Sequence, residues 1–400
     1  MASTMLSPAP QMTAKTSAGV STRTSRVSLT RGTPLTQTSK GSRVVLRKPS
    51  LQTKCSVADT ASSKSKEPVL EVTSAFSPAT VANLGPGFDF LGCAVEGQGD
   101  TVTARLLPDR PGEVVIEDIQ GDGGRLSYEA ADNCSGIAAI ETLKLLGVSD
   151  MGIGISLNKG LPLGSGLGSS AASAGAAAWA VNALYGCPLS KAELVPAGLV
   201  SEAYVSGYHA DNIAPAIMGG FVLIREYEPE LLLERLEFGG NSPLWFVVVT
   251  PKFEAPTREM RAALPKDVSM AQMTLNATAA ASLVTGIMSG DAAMLGKGLN
   301  SDSVIEPARG PLIPGFFDVK KAAIENGAFG CTISGAGPTV VAIVDSKDNG
   351  VKVAEAMINA FGTKGNLEVN CAAVVQLSTD GAHSCEPDYC AVSDSAVFVK

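Results

Sequence analysis

The sequence predicts an α+β fold built from two domains. Its 400 residues exceed what one hydrophobic core usually holds, so two domains are expected. Strand-like and helix-like segments follow one another in an irregular order, and several neighbouring strands are separated by connections of hairpin length. That pattern favours an α+β chain over a repeating series of parallel βα units.

Nine segments have the alternating or β-branched composition of strands. In chain order they are residues 70–76, 101–107, 113–119, 151–157, 220–226, 244–250, 331–334, 339–345 and 371–377. Seven segments carry apolar residues at helical spacing. They are residues 135–146, 169–185, 190–205, 258–264, 270–288, 318–326 and 350–361. The polar stretch 227–243 is the predicted joint between the two halves, and the sequence shows no internal repeat.

The amino-terminal segment differs in composition from the rest of the chain. Between Met1 and Lys54 it contains nine Lys or Arg residues, many Ser and Thr residues, and no acid before Asp59. A basic, hydroxyl-rich, acid-free leader is typical of an organelle transit peptide. Its length and its lack of an arginine-rich amphipathic face favour a plastid over a mitochondrion, so residues 1–55 are the predicted transit peptide. The alternative is a disordered tail that binds nucleic acid.

The remaining chain is strongly acidic. Removing the nine basic residues of the leader from the total of 31 leaves 22 basic against 39 acidic residues, a net charge of −17. A protein of that charge does not bind nucleic acid through bulk electrostatics, so any anionic substrate needs a local pocket of donors. No run of eighteen apolar residues is present, which argues against a membrane span.

The eight cysteines contain no CxxC pair. Scattered cysteines of this kind are mostly small buried apolar residues in a reducing compartment. Cys385 and Cys390 lie close together in a polar tail, so a redox-active pair there is the alternative.

The stretch LPLGSGLGSSAASAGAAAWAVNALYG, residues 161–186, is the first candidate for chemistry. It follows a predicted strand and leads into a helix that begins near Ser169. Gly164, Gly166 and Gly168 permit positive φ angles, so successive amides can converge on one point. The start of the helix adds unpaired N–H groups and the positive end of its dipole, which together suit a phosphate without any lysine. Ser169 and Ser170 can either cap the helix or turn a hydroxyl toward a phosphate or its metal.

Local chemistry alone leaves a second explanation open for this loop. The stretch is neither a Walker sequence nor a dinucleotide-binding GxGxxG with a later acid. Small residues such as Ala171, Ala172, Gly175 and Ala176 could simply allow the helix to pack closely against a sheet.

Three motifs in order resemble those of the GHMP kinases. PLGSGLGSSAA (162–172) is similar to their nucleotide-binding signature, and SGAGPTVVAI (334–343) to their carboxy-terminal glycine-rich motif. PATVANLGPGFDFLG (78–92) resembles their amino-terminal motif in the version typical of homoserine kinases. The resemblance spans roughly residues 70 to 380, all but the leader and the tail.

This resemblance implies a fold and domain boundaries. The amino-terminal domain is expected at residues 69–226, with an architecture like domain 2 of ribosomal protein S5. A ferredoxin-like carboxy-terminal domain is expected at residues 244–380, and residues 381–400 are left as a tail. The substrates are expected in the cleft between the two domains.

The resemblance also implies ATP as co-substrate, together with Mg²⁺. The implied ATP-binding residues are Pro162, Leu163, Gly164, Ser165, Gly166, Leu167, Gly168, Ser169, Ser170, Gly335 and Gly337. The implied metal ligands are Ser170 and Glu202.

The implied substrate residues suit a small amino acid that carries a hydroxyl. They are Asn83, Asp89, His209, Asn212, Thr257, Arg261 and Arg309. Arginine matches the two oxygens of a carboxylate, and a carboxylate or amide oxygen suits an ammonium group. Thr257 can cap a short helix with Arg261 on the same face, and Arg309 is expected in a turn bounded by prolines. The alternatives are an Asx turn around Pro86 and a pair of surface ion pairs.

The implied catalytic residues are Asn212, Asp211, Glu202 and Ser170. Asn212 is expected nearest the reacting hydroxyl. Asp211 lies where mevalonate-type relatives use an aspartate as general base, but phosphoryl transfer through a loose transition state depends more on alignment than on early deprotonation. Alignment by Asn212 is therefore ranked first and a base is optional.

The function that the resemblance implies is phosphorylation of L-homoserine by ATP in the plastid route to threonine. The alternatives are another plastid kinase of the family that serves isoprenoid synthesis, and a non-catalytic ligand sensor on the kinase fold. Paired arginines for a carboxylate argue against the isoprenoid kinases. A homodimer is compatible with the sequence, which does not decide the oligomeric state.

Overall fold

The computed structural model describes residues 67–387 and 396–399. The predicted transit peptide lies outside the described residues. Twelve strands are described: β1 (Val72–Ala82), β2 (Leu91–Leu107), β3 (Val114–Gln120), β4 (Gly152–Asn158), β5 (Phe221–Glu226), β6 (Leu232–Leu236), β7 (Trp245–Pro251), β8 (Gly330–Ile333), β9 (Val340–Val344), β10 (Val369–Gln376), β11 (His383–Cys385) and β12 (Val397–Phe398).

Ten α-helices accompany the strands in the described part of the chain. They are α1 (Cys134–Leu146), α2 (Ser169–Leu184), α3 (Lys191–Val205), α4 (Ile213–Met218), α5 (Thr257–Ala262), α6 (Met270–Ser289), α7 (Ala292–Asn300), α8 (Ile305–Arg309), α9 (Phe316–Glu325) and α10 (Lys347–Ala360). Local signals set several of their ends. Ser190 with Glu193, and Ser269 with Gln272, form capping boxes at the starts of α3 and α6. Gly147, in the left-handed conformation, ends α1.

The strands form two sheets. In the first sheet the order is β11-β1-β2-β4-β3, with β5 paired to both β2 and β6. The β3–β4 pair is parallel, and the other pairs of this sheet are antiparallel. The second sheet is antiparallel throughout, in the order β12-β10-β7-β9-β8. Both sheets carry helices, and the predicted α+β architecture is confirmed.

Helix α2 is the central helix of the first sheet's core. It packs against β1 and β2 and against α1 and α3, and Ala171, Ala172 and Ala176 are fully buried. A Cβ on Gly175 would lie 2.8 Å from the hydroxyl oxygen of Ser77 on β1. The small residues therefore do allow close packing, and this explanation applies to the helix body.

A hydrophobic cluster joins the two sheets. It contains Val81 and Phe221 of the first sheet together with Phe246 and Val341 of the second. The rings of Phe221 and Phe246 have centroids 6.4 Å apart. Each sheet also has a cluster on its other side, so the shared cluster lies between the two.

The structure corrects the predicted joint. Residues 232–236, inside the stretch 227–243, form β6 and pair antiparallel with β5. Polar residues outnumber apolar ones in this stretch, which favours a linker, but an edge strand with half-exposed side chains tolerates that composition. The remaining connection to the second sheet is residues 237–244.

The tail contributes to both sheets. Strand β11 pairs with β1, and β12 pairs with β10. Trp179 of α2 donates a hydrogen bond to the hydroxyl of Ser384 (3.1 Å). Cys385 is half-buried and burial raises the pKa of its thiol to about 11, while Cys390 lies outside the described residues. Over residues 67–387 and 396–399, no helix is long and apolar enough to cross a bilayer.

Candidate active site

The glycine-rich loop connects β4 to α2 and lines a cavity of about 330 Å³. Gly164, Gly166 and Gly168 have φ angles of 67°, 82° and 65°, which residues with a side chain rarely adopt. A Cβ on Gly166 would lie 2.6 Å from the carbonyl oxygen of Ser334. The positive φ angles predicted for the loop are confirmed, and close packing against a second loop requires glycine as well.

Most residues that the resemblance implied for ATP, metal and substrate lie around this one cavity. Those that line it are Asn83, Asp89, Leu163, Gly164, Ser165, Gly166, Gly168, Ser169, Ser170, Glu202, His209, Asp211, Asn212, Thr257, Arg261, Arg309, Gly335 and Gly337. Pro162 and Leu167 do not line it. The side chain of Leu167, 2% exposed, packs into the cluster shared by the two sheets, as its apolar character favours.

Neither Ser169 nor Ser170 caps the start of α2, although the sequence allowed that role. Gly168 is the N-cap residue, and no side chain caps the helix. The hydroxyl of Ser169 donates to the carbonyl oxygen of Leu161 (3.2 Å) and accepts from the ammonium of Lys159 (2.7 Å). Ser169 is therefore held by the protein, whereas Ser170 lines the cavity and lies near Glu202.

The second glycine-rich loop, residues 334–338, is bound to the first. The hydroxyl of Ser334 donates to the carbonyl oxygen of Gly166 (2.7 Å), and that of Thr339 donates to Ser165 (2.6 Å). Gly335 and Gly337 have φ angles of 57° and 86°. The carboxy-terminal motif thus contacts the nucleotide loop although the two lie about 170 residues apart in sequence.

Glu202 is a buried carboxylate beside the start of α2. Its residue is 3% exposed, and burial raises its pKa, while the nearby hydroxyls of Ser170 and Ser206 counteract that rise. Among the described residues its Oε1 has no hydrogen-bond partner. An unpartnered buried carboxylate oxygen next to a hydroxyl is a donor set that Mg²⁺ accepts.

No denser metal site competes with this one in the described chain. Within residues 67–387 and 396–399, no three His, Cys, Asp or Glu side chains are grouped so that they could hold a metal ion. Mg²⁺ commonly uses one or two protein ligands and completes its shell with phosphate oxygens and water, so Glu202 and Ser170 fit that pattern.

Asp89 and Arg261 form a charged pair in the wall of the same cavity. The guanidinium of Arg261 donates from both terminal nitrogens to the Asp89 carboxylate, at 2.9 and 3.1 Å. Nδ1 of His209 lies 3.5 Å from the same carboxylate. Two guanidiniums contact the ring of Phe88, with Cζ of Arg261 5.1 Å and Cζ of Arg309 5.0 Å from its centroid. One aromatic ring thus holds two cations close together.

Arg309 is a buried arginine, only 2% exposed. Its Nε donates to the carbonyl oxygen of Met260 (3.2 Å) and its Nη1 to that of Gly335 (3.0 Å). Burial, followed by the charge of Arg261, lowers its pKa to about 10. The surface ion pair considered from the sequence is wrong for this residue. Arg309 ends the short helix α8 instead of lying in a turn.

Thr257 and Asn83 differ in detail from their predicted local roles. Thr257 is the first residue of α5, and the N-cap is Pro256, so Thr257 does not cap the helix. Asn83, at a φ angle of 68°, accepts a hydrogen bond from the amide of Asp89 (3.0 Å) and donates to the carbonyl oxygen of Gly335 (2.8 Å). The first bond closes a loop over six residues, whereas an Asx turn needs the amide two residues on, so neither bond forms the alternative Asx turn.

Burial shifts the pKa values of two further residues in the cavity wall. Burial holds the pKa of His209 below its usual value, with opposing effects of nearby charges, which favours the neutral ring. The pKa of Asp211 is raised to about 7, first by burial and then by the negative charges of Asp89 and Glu202. A carboxyl with a pKa near neutrality can accept a proton at physiological pH.

Sequence reasoning missed a buried ion pair beneath the nucleotide loop. The ammonium of Lys159 is bound to Asp100, to the carbonyl oxygen of Ser169 (2.8 Å) and to the hydroxyl of Ser173 (2.9 Å). Asp100 also accepts from the amide of Leu161 (3.1 Å). The available signal was a lysine two residues beyond a strand and immediately before an apolar, glycine-rich loop, but its partner lies 59 residues away.

Tyr227 was also missed. It links Asp89 to the segment that contains His209 and Asp211. Its hydroxyl donates to the carbonyl oxygen of Asp89 (2.8 Å) and accepts from the amide of Ala210 (2.9 Å). A tyrosine in a polar stretch gives no sequence signal for such a role.

Comparisons with known proteins agree with this geometry. Two family models match: the GHMP kinases N terminal domain over residues 134–220 and the GHMP kinases C terminal over residues 280–364. A homoserine kinase of Arabidopsis thaliana is 56% identical over 317 residues, which cover 79% of this chain and 85% of that protein. A homoserine kinase of Chloroherpeton thalassium is 40% identical over 301 residues, 73% of this chain and 93% of the relative.

A solved structure is similar over nearly the same length. The crystal structure of a homoserine kinase from Cytophaga hutchinsonii has a TM-score of 0.74 and 39% sequence identity, and the match covers 80% of this chain and 99% of that one. The chain belongs to the GHMP kinase family, in both its amino-terminal and its carboxy-terminal part.

Proposed function

We propose that the protein transfers the γ-phosphoryl group of ATP to the hydroxyl of L-homoserine, giving O-phospho-L-homoserine and ADP. One observation carries the proposal: a single cavity runs from the glycine-rich loop to the charged cluster of Asp89, Arg261 and Arg309. The relatives named above as homoserine kinases support it.

The charged cluster suits a zwitterion. Arg261 and Arg309 both contact the ring of Phe88, and a guanidinium matches a carboxylate in bidentate geometry. Asp89 lies beside Arg261 and can accept an ammonium group. Thr257 and His209 lie at the same end of the cavity wall and supply polar contacts. A substrate without an α-carboxylate, such as those of the isoprenoid kinases, would not use the carboxylate-binding capacity of these two arginines.

The loop end suits a triphosphate and its metal. Amides of residues 164–168 and the start of α2 provide donors for anionic oxygens, with Gly335 and Gly337 behind them. Leu126, Cys134 and Val205 form an apolar part of the wall that suits the base. Ser170 and Glu202 would hold Mg²⁺, which neutralises charge on the β- and γ-phosphates when bound.

The reaction forms one bond and breaks one. The substrate hydroxyl oxygen bonds to the γ-phosphorus as the bond from that phosphorus to the bridging oxygen breaks, and ADP leaves with the electron pair. Asn212 aligns the hydroxyl, which is the primary requirement of a loose transition state. The hydroxyl proton passes to Asp211, whose raised pKa supports this assignment.

Two further proposals rest on the sequence. Residues 1–55 would direct the chain to the chloroplast stroma, which agrees with a plant enzyme among the relatives. Residues 69–226 and 244–380 would be the two domains of the family, with the active cavity between them.

An assay with a panel of alcohols tests the proposed activity. The full chain is incubated with ATP, Mg²⁺ and, in separate reactions, L-homoserine, 4-hydroxybutyrate, 3-aminopropan-1-ol, mevalonate and L-serine. We expect ADP release with L-homoserine and little with the analogues that lack either charge, with O-phosphohomoserine identified by mass spectrometry. ADP release with other compounds but not with L-homoserine would overturn the assignment.

A further inference from the structure

Thr80 contacts the residue proposed to align the hydroxyl. Its side chain is fully buried on β1, and its hydroxyl donates a hydrogen bond of 2.8 Å to Oδ1 of Asn212. The main chain fixes Thr80 in this position, because its amide donates to the carbonyl oxygen of Leu167 in the nucleotide loop (3.0 Å). Thr80 therefore links the nucleotide loop to Asn212.

This hydrogen bond decides which end of the Asn212 amide faces the cavity. A carboxamide has one acceptor oxygen and one NH₂ group with two donors. The oxygen is directed to Thr80, and Asn212 is the N-cap residue of α4 without making a side-chain cap bond, so its side chain does not serve the helix. Asn212 lines the cavity, and the end left for a ligand is the NH₂ group.

The pair lies at the phosphate end of the cavity. A Cβ on Gly168, the N-cap of α2, would lie 1.9 Å from Oγ1 of Thr80 and 2.9 Å from Oδ1 of Asn212. The amide of Asn212 is thus directly beside the point where helix α2 begins, where an anion is best stabilised.

From this geometry we propose that Thr80 is a positioning residue that fixes Asn212 as a hydrogen-bond donor to the reacting hydroxyl oxygen. The inference rests on the proposed function and extends it. A donated hydrogen bond occupies one lone pair of the alcohol oxygen and directs another lone pair at the γ-phosphorus. Asn212 cannot then accept the hydroxyl proton, which must pass to another group.

Substitutions at Asn212 separate the donor role from an acceptor role. Asn212→Asp keeps the shape and supplies acceptor oxygens without the NH₂ group. We expect Asn212→Asp and Asn212→Ala to lower kcat by similar factors, about a hundredfold, as when one preorganised donor is removed from an active site. Retention of kcat within threefold in Asn212→Asp, with loss in Asn212→Ala, would mean that an acceptor is what the reaction needs and would overturn the inference.

Substitutions at Thr80 test the positioning. Thr80→Val replaces the hydroxyl with a methyl group of similar size, which removes the hydrogen bond and frees the amide to turn. We expect kcat to fall about tenfold, the effect of losing one orienting hydrogen bond, with the KM values for ATP and homoserine within twofold and with Thr80→Ser restoring most of kcat. Thr142→Val is the matched control, since Thr142 is equally buried and its hydroxyl donates to Ala138 inside α1.

The outcomes also distinguish this inference from the proposed function. A wild-type protein that phosphorylates L-homoserine, together with fully active Thr80→Val and Asn212→Asp variants, overturns the inference alone. A wild-type protein that phosphorylates a different alcohol overturns the proposed substrate, and the same variants are then measured with that alcohol. A wild-type protein without any phosphoryl transfer overturns both.

Discussion

Asp211 shows how a single buried side chain can lower stability while serving chemistry. Its ordinary pKa of 3.8 is raised to about 7 in the fold, mainly because burial penalises the charged form. The folded state therefore holds a proton that the unfolded chain releases near pH 4. The contribution of this group to stability falls as the pH rises between those two values, and it is lowest above pH 7.

Asp211→Asn is expected to reverse this loss. The neutral amide has nearly the same shape, so the melting temperatures of variant and wild type should be similar at pH 4, and the variant should become the more stable protein as the pH approaches 8. Differential scanning fluorimetry across this range measures the difference. A difference that does not change with pH would show that Asp211 is not buried as a charged group.

Arg261→Gln should raise the KM for homoserine and leave the KM for ATP nearly unchanged. The variant loses a charge-assisted contact worth about 1.5–3 kcal/mol, so the KM for homoserine should rise about tenfold to a hundredfold. Arg258→Gln is the matched control, because Arg258 is exposed on the same helix. A rise in the KM for ATP instead would contradict the proposed division of the cavity.

Glu202→Gln tests the proposed metal ligands. The amide keeps the size of the side chain but weakens the attraction for a divalent cation, so the Mg²⁺ concentration at half-maximal rate should rise about tenfold or more. The KM for homoserine should change little. Steady-state rates measured over a range of free Mg²⁺ decide the matter, and an unchanged Mg²⁺ requirement would exclude Glu202 as a ligand.

At the scale of elements, the start of α2 requires glycine at position 168 for two reasons. Gly168 adopts a positive φ angle and also meets Thr80 and Asn212 at distances that leave no room for a Cβ. Gly168→Ala should therefore lose nearly all activity and also destabilise the protein.

Gly123→Ala provides the control for Gly168→Ala. Gly123 has almost the same φ angle, 67°, but nothing within 4 Å of its Cβ position, so only the backbone penalty of about 1–2 kcal/mol applies. Chemical denaturation and initial rates of both variants separate backbone strain from steric conflict. Equal effects of the two substitutions on activity would remove the argument for close packing at α2.

The helices that were not predicted from the sequence depend on tertiary packing. The nine predicted strands and seven predicted helices all overlap observed ones, since their periodicity reports which face is buried. Helix α7 was missed because it contains Gly296 and Gly298, which weaken a helix. A Cβ on Gly296 would lie 2.4 Å from the main chain of Phe329, so the glycines serve a contact that no local pattern reveals. Helices α4 and α8 are short and contain proline.

The candidate site shows the same difference between local patterns and tertiary contacts. The three motifs identified residues of the site, and most of these residues line one cavity. It could not show that Asp89 and Arg261, 172 residues apart, bind each other, or that Lys159 has a buried partner, because such contacts depend on the assembled fold. No sequence pattern marks the roles of polar residues outside the motifs, such as Tyr227.

At the scale of the whole molecule, the shared hydrophobic cluster couples the two sheets. Phe221 and Phe246 belong to different sheets but to one buried cluster, so neither sheet can unfold without exposing apolar surface of the other. We expect one cooperative transition in calorimetry, with equal calorimetric and van 't Hoff enthalpies. Two resolved transitions would show that the predicted domains 69–226 and 244–380 are independent folding units.

Two of the chain's crossings between the sheets run side by side. Trp245 and Gln376 are paired neighbours on β7 and β10, so residues 237–244 and 377–382 leave the second sheet at the same end of these two strands. The later crossing is tied to the first sheet where the amide of Gly220 donates to Ser378 (2.7 Å). Two adjacent connections resist twisting and sliding of one sheet relative to the other better than a single connection does. Together with the shared hydrophobic cluster, these two connections would keep the cavity-lining residues of both sheets in one arrangement.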